Sequence, residues 1–228
     1  MLLKVCGVTD VHELRRMSGF PVELAGLWHG VPGGRRELSL SRLVRLARCA
    51  RQVAVEPVLV TLLDDPERLR EVVAASGVRW VQLHGYPAPA RVRRIRAALP
   101  DVTLVKVLHA RGGQVVEEPL ADAYRRAGAD LFLFDSVADD GRIGSTGMPL
   151  DPTAPIRVLE RTDLPFLLAG GLGHTGADRY DGLLRHRGFR GIDVDSALRG
   201  DDGSLRLRRV DAIRAAWRER RAAVECAP

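Results

Sequence analysis

The sequence predicts an α/β fold, a single closed (β/α)8 barrel, and three observations carry that reading. Short apolar, β-branched runs alternate strictly with amphipathic stretches, the pattern of a parallel sheet with helices outside. The alternation repeats eight times over 228 residues, a count and length that suit a closed barrel. No Gly-x-Gly-x-x-Gly follows the first apolar run, which disfavours a doubly wound dinucleotide-binding sheet. No linker, low-complexity tract or composition break interrupts the chain. Residues 1–228 are therefore expected to form one domain, with a frayed tail from about residue 222.

Residues 2–5 read as the first strand, and Asp10 opens the first helix with Glu13 as its capping-box partner. The second strand is expected over 22–27, and a loop through Val31-Pro32-Gly33-Gly34-Arg35-Arg36 leads to a helix over 41–51. Strand three, 58–62, precedes Asp65-Pro66, an N-cap and first-turn proline that start a helix to about residue 75. Strand four is expected over 78–83, followed by a helix over 89–98 that ends before Pro100. Strand five, 102–108, leads to a helix over 120–127. Strand six, 131–134, leads through a long polar loop to a helix near 155–160. Strand seven, 166–168, precedes a helix near 177–185, and strand eight, 192–194, precedes the last helix, 210–221.

Composition narrows the function classes. With 46% apolar residues the chain can bury a sizeable core without staples. Its three cysteines, Cys6, Cys49 and Cys226, are too few and odd for a disulfide framework and suit a reducing cytoplasm. Cys49 reads as core and Cys226 as tail. The first residues lack the pattern of a secretory signal, and no run approaches the ~18 apolar residues that span a bilayer, so no membrane partner is expected. The formal charge of +6 comes from arginines scattered along helices, and 5% aromatics offer no stacking platform, so nucleic acid is not expected. A basic field would attract an anionic small molecule. The sequence leaves monomer and homodimer open.

Catalytic groups of such barrels sit at the C-terminal ends of strands. Cys6 ends strand one, beside Gly7 and near Lys4, and reads either as a reactive thiol or as a buried small residue. Asp135 ends a very apolar strand, where partial desolvation raises a carboxyl and suits general-acid work; a loop-anchoring carboxylate is the other reading. His84 ends strand four, as a pocket residue or a histidine satisfied by backbone. No His/Asp/Glu spacing forms a metal-ligand set, so no metal is expected. Gly170-Gly171 after strand seven, and Asp193 with Ser196-Ala197 around the end of strand eight, lie where these barrels hold phosphate. Gly144-Ser145-Thr146-Gly147 is a polar loop that could close over a ligand.

Together these segments resemble the phosphoribosylanthranilate isomerase family of tryptophan biosynthesis. Its Lys-x-Cys-Gly is matched by residues 4–7, its Val-Gln-Leu-His-Gly by 81–85, and its Asp-Ser by Asp135-Ser136. Its Gly-Gly-Thr-Gly is approximated at 144–147, its Leu-Ala-Gly-Gly-Leu is matched at 168–172, and its Asp-Val-Ser-Ser is approximated at 193–196. The resemblance implies a TIM barrel that carries out an Amadori rearrangement without cofactor. It implies Asp135 as general acid, Cys6 as general base in its thiolate form, and Arg36 as the partner of the anthranilate carboxylate. It also implies His84 as pocket wall and backbone around Gly170, Gly171, Ser196 and Ala197 as phosphate cradle.

The chain departs from the pattern in the loop after strand two, at Ser145, at Leu150-Asp151-Pro152, and at Asp195 and Arg199. A carboxylate at 195 would repel phosphate unless it pairs, for which Arg199 is the candidate. Two variants of the reading follow: a paralogue acting on a modified substrate, or a non-catalytic barrel that binds a phosphorylated metabolite. A different sugar-phosphate enzyme, such as an aldolase or epimerase, is a further class; no strand-end lysine is an obvious Schiff-base candidate for it, although Lys106 lies in strand five.

Overall fold

Alternation along each strand sets the two faces of the sheet. The computed structural model describes residues 1–137 and 148–226. Its strands are β1 (Leu2–Val5), β2 (Leu24–Trp28), β3 (Glu56–Thr61), β4 (Trp80–Leu83), β5 (Thr103–Arg111), β6 (Gln114–Val115), β7 (Leu131–Ser136), β8 (Phe166–Leu168) and β9 (Phe189–Val194). They run in the order β4-β3-β2-β1-β9-β8-β7-β5, and β4 pairs with β5 to close the barrel. Every one of these pairings is parallel; only the two-residue β6 is antiparallel, folding back on β5.

Period-two geometry divides the apolar residues into an inner and an outer set. Val105, Val107, Leu131, Leu133, Leu167 and Ala169 pack together inside the barrel. Cys6, Leu24, Trp28, Val58 and Val60 form a second interior group. The residues between them, among them Leu3, Val5, Leu59, Leu104, Phe132 and Phe134, join the helices in the outer core. The interior positions continue toward the C-terminal mouth as polar side chains: Lys4, Gln82, His84, His109, Asp135 and Asp193.

The helices are α1 (Val11–Met17), α2 (Leu40–Gln52), α3 (Pro66–Ser76), α4 (Pro89–Ala98), α5 (Ala121–Arg126), α6 (Ile156–Leu159), α7 (Asp181–Arg185) and α8 (Arg208–Glu225). Asp10 and Asp65 cap α1 and α3 by accepting from the amides of His12 and Arg68. Glu13 accepts from Thr9 N at 3.3 Å, one residue outside the expected capping box. Cys49 is buried and Cys226 exposed.

Two boundaries differ instructively from the sequence reading. Strand five runs past residue 108 to Arg111, because the short hairpin with Gln114–Val115 extends its ladder. The tail does not fray at 222. The last helix continues to Glu225, since Val224 is buried and its carbonyl accepts from Arg185 Nε at 3.1 Å.

Candidate active site

The barrel mouth opens on a pocket of about 970 Å³. Cys6, Asp135, His84, Arg36, Gly170 and Gly171 all line it, as do Asp193 and Ser196. Chain segments far apart in sequence thus meet because each ends an inward-facing strand or begins the loop after it. Of the other expected site residues, Ala197 is not in the pocket wall, and its carbonyl accepts from Arg209 at 3.1 Å. Thr146 and Gly147 lie outside the described residues.

Cys6 follows β1, where its amide donates to Val194 O at 3.0 Å and fixes the turn into the pocket. Two donors converge on its sulfur: Lys4 Nζ at 3.3 Å and the Trp28 indole nitrogen at 3.2 Å. They do not make it a thiolate. Burial pushes the Cys6 thiol up to about 12, Asp193 and Asp195 push the same way, and Lys4 and Trp28 pull against them. The thiolate implied by the family resemblance is therefore a minority form in the free site. Lys4 is held by Asp193 Oδ2 at 2.6 Å, across the β1–β9 register that pairs the two residues. Burial works against its charge, but Asp193 and Cys6 outweigh it and keep the ammonium above its usual range.

Asp135 points inward from β7. Burial, with Asp193 adding to it, raises its carboxyl to about 7. Its neighbour His84 is pushed down to about 3 by burial and by His109, Lys4 and Lys106, so its ring is neutral. The Gln82 amide nitrogen lies 3.2 Å from His84 Nδ1. Donation there assigns the ring proton to Nε2, which faces Asp135 Oδ2 at 3.8 Å. Among the described residues that Nε2 has no hydrogen-bond partner, nor do Gln82 Oε1 and Asp193 Oδ1. All three residues line the pocket, so its floor offers buried polar atoms to a ligand.

Gly170 takes φ +87°, and a Cβ there would come within 2.4 Å of Ser136 Oγ, so only glycine fits. Arg36 Nη2 donates to Gly203 O at 3.2 Å and bridges the loops after β2 and β9. Asp195 pairs with Arg199 Nε at 2.9 Å. Arg199 also donates to Glu13 at 3.1 Å and to the carbonyls of Cys6 and Gly7 at 2.9 and 2.8 Å. Lys4, Trp28 and Gln82 carry much of this geometry; the sequence offers Lys4 only as a neighbour of Cys6 and points to no role for Trp28 or Gln82. Their signal was the alternation itself, Lys4 two before Cys6 and Gln82 two before His84.

Fold and site define a class: a (β/α)8-barrel protein with ionisable groups gathered at the C-terminal mouth, the arrangement of barrel enzymes. The sequence profile described as N-(5'phosphoribosyl)anthranilate (PRA) isomerase matches residues 3–213. The N-(5'-phosphoribosyl)anthranilate isomerase of Synechococcus sp. (strain JA-3-3Ab) is 31% identical over 221 residues, covering 92% of this chain and 88% of the relative. The chain belongs to the N-(5'-phosphoribosyl)anthranilate isomerase family. Among solved structures, that enzyme from Pyrococcus furiosus superposes with a TM-score of 0.73 at 16% identity, covering 96% of this chain and 99% of the other. A phosphoribosyl anthranilate isomerase in complex with reduced 1-(o-carboxyphenylamino)-1-deoxyribulose 5-phosphate gives 0.71 at 18%, covering 96% and 100%.

Proposed function

We propose that this protein catalyses the Amadori rearrangement of N-(5-phosphoribosyl)anthranilate in tryptophan biosynthesis, with Asp135 as general acid and Cys6 as general base. The observation that carries the reading is the convergence of these two side chains, from β1 and β7, on one pocket. The Asp135 carboxyl gives its proton to the ring oxygen, and the C1–O bond breaks as the nitrogen lone pair forms an iminium. The Cys6 thiolate then takes the C2 proton. The C–H electron pair becomes the C1–C2 double bond of an enolamine, which tautomerises to the aminoketone. Gly170, Gly171 and Ser196 hold the phosphate, and Asp193 and His84 present polar atoms to the ribose. Arg36 meets the anthranilate carboxylate, and Asp195 spares the phosphate its charge by pairing with Arg199. The fold neighbour that carries an aryl-amino sugar phosphate supports a ligand of this chemistry. We read the chain as one domain working in the cytoplasm, in keeping with its biosynthetic family and three unpaired thiols.

With the acid at about 7 and the thiol at about 12, the productive pair is the rarer arrangement of one proton between two sites. Between those values a small minority of molecules holds a protonated Asp135 beside an ionised Cys6. That fraction is constant above pH 7 and falls about tenfold per pH unit below it. The expected kcat/KM profile is level from pH 7 to 9 and drops on the acid side. A profile that instead declines above pH 7 would remove Cys6 as the base.

Turnover is read from the loss of phosphoribosylanthranilate fluorescence. Cys6→Ala and Asp135→Asn should abolish it with circular dichroism unchanged. A wild-type protein without turnover sinks the proposal, and retained binding would then favour a non-catalytic barrel. The loop after β2 favours a second reading, a modified aryl amine, because Trp28, Val31 and Pro32 wall the pocket there. Substituted anthranilate substrates turned over faster than the parent would establish it.

A further inference from the structure

The acid/base scheme leaves Trp28 without a task, yet its indole is buried with its N–H against the Cys6 sulfur. Trp28 ends β2, is 8% exposed, and stands in register with Val60. Its carbonyl accepts from Leu38 N at 2.9 Å, which ties the following loop to it. Its ring edge lies where a Cβ on Gly34 would stand 3.3 Å away, so that glycine leaves room for the indole. Two residues earlier on the same face is Gly26, where a Cβ would come within 2.9 Å of Cys6 Sγ and 3.0 Å of Lys4 Nζ. The strand thus clears space for the sulfur and ammonium with one residue and supplies a donor with the next inward one.

That donor is aimed at Cys6 Sγ from 3.2 Å. Lys4 divides its ammonium between the sulfur at 3.3 Å and Asp193 at 2.6 Å. The indole N–H is neutral, does not titrate, and has the sulfur as its acceptor. A thiol accepts hydrogen bonds weakly and a thiolate strongly, so a fixed N–H favours the ionised form. We propose that Trp28 is the positioning residue of Cys6: its indole N–H aims the sulfur into the pocket and stabilises thiolate over thiol. The proposal rests on the reading of Cys6 as base.

Trp28→Phe keeps a ring and removes the N–H. Its kcat at pH 8 should fall about tenfold or more, the worth of a hydrogen bond to a charged group, while KM moves by less than about threefold. The acid-side break near pH 7, which belongs to Asp135, should stay where it is. Iodoacetamide labelling at Cys6, followed by peptide mass spectrometry, should slow by a similar factor. A wall residue without electrostatic effect predicts the reverse, since the smaller ring opens access to the sulfur. Unchanged kcat with unchanged or faster labelling overturns the proposal. Should Trp28→Phe fail to fold, the 15N-labelled wild type carries the test. The Trp28 indole N–H resonance must shift in Cys6→Ala, and no shift overturns the proposal. If wild type shows no turnover while Trp28→Phe still slows labelling, the isomerase reading falls and the thiolate cradle stands.

Discussion

Two lysines in this barrel are almost fully buried, and their surroundings treat the charge in opposite ways. Lys4 is 1% exposed and Lys106 0%. Lys4 faces the interior and has Asp193 at 2.6 Å, and its ammonium is held above the usual range. Lys106 shares the outward face of β5 with Leu104 and Leu108, over the Tyr124 ring, and has Glu117 at 3.4 Å. There burial wins and lowers the ammonium to about 8. Glu117 is committed elsewhere, accepting from His109 N at 2.8 Å and lying 2.6 Å from His109 Nδ1. Burial alone does not decide whether a lysine stays charged; a close carboxylate with few other claims on it does.

The same substitution at both lysines tests that contrast, and Lys4→Met should have the larger effect. It leaves Asp193 buried without its counter-charge and the Cys6 sulfur with one donor. Breaking such a pair costs about 3–5 kcal/mol of stability, read by urea unfolding. Turnover should drop at least 100-fold, on the order of a lost preorganised charge. A Lys4→Met protein within about 1 kcal/mol of wild type would mean that Asp193 releases its charge freely, and the contrast with Lys106 would dissolve.

Asp135 sharpens the comparison from the acid side, as a carboxyl whose folded value of about 7 stands above its ordinary 3.8. The native state holds this proton more tightly than the unfolded chain. Stability from this group is therefore full below about pH 4 and is lost as pH rises to about 7, by up to about 4 kcal/mol. Asp135→Asn removes that titration. It should raise the melting temperature at pH 8 and leave it nearly unchanged at pH 4, while abolishing turnover. Equal effects at both pH values would place the carboxyl in a solvated setting.

Strand-end residues and cross-strand partners also differ in how far the sequence revealed them. Cys6, His84, Asp135 and Gly170 were legible because each ends or follows an apolar run, and a barrel gathers such ends. Lys4–Asp193 was not, since 189 positions separate the partners and only the β1–β9 register joins them. The Glu117 contacts to Lys106 and His109 were hidden because polar residues near the end of β5 read as the onset of a loop. The short hairpin that returns Glu117 carries no Asn-Gly or Asp-Gly signal, only Gly112-Gly113. Trp28 ends β2 just before the loop that departs from the family pattern, and only the fold directs its N–H at the Cys6 sulfur.

Lys106→Met is the smaller change and the one whose sign separates the two lysines. The folded value of about 8 lies below the ordinary 10.5, so the native state binds fewer protons than the unfolded chain between them. Stability should rise with pH across that window, and below pH 8 the charged, buried ammonium costs about 3 kcal/mol. Methionine removes the cost and sets a thioether against the Tyr124 ring. Glu117 keeps its contacts with His109, while the carbonyls of Gly85 and Val107 lose a donor. The net expectation at pH 7 is a gain of about 1–2 kcal/mol, with the rise between pH 8 and 10.5 abolished. Turnover should stay within about twofold, which also disposes of a Schiff base at Lys106. A loss of stability instead would show that Glu117 serves Lys106 as Asp193 serves Lys4, and that the 3.4 Å separation still makes an effective ion pair.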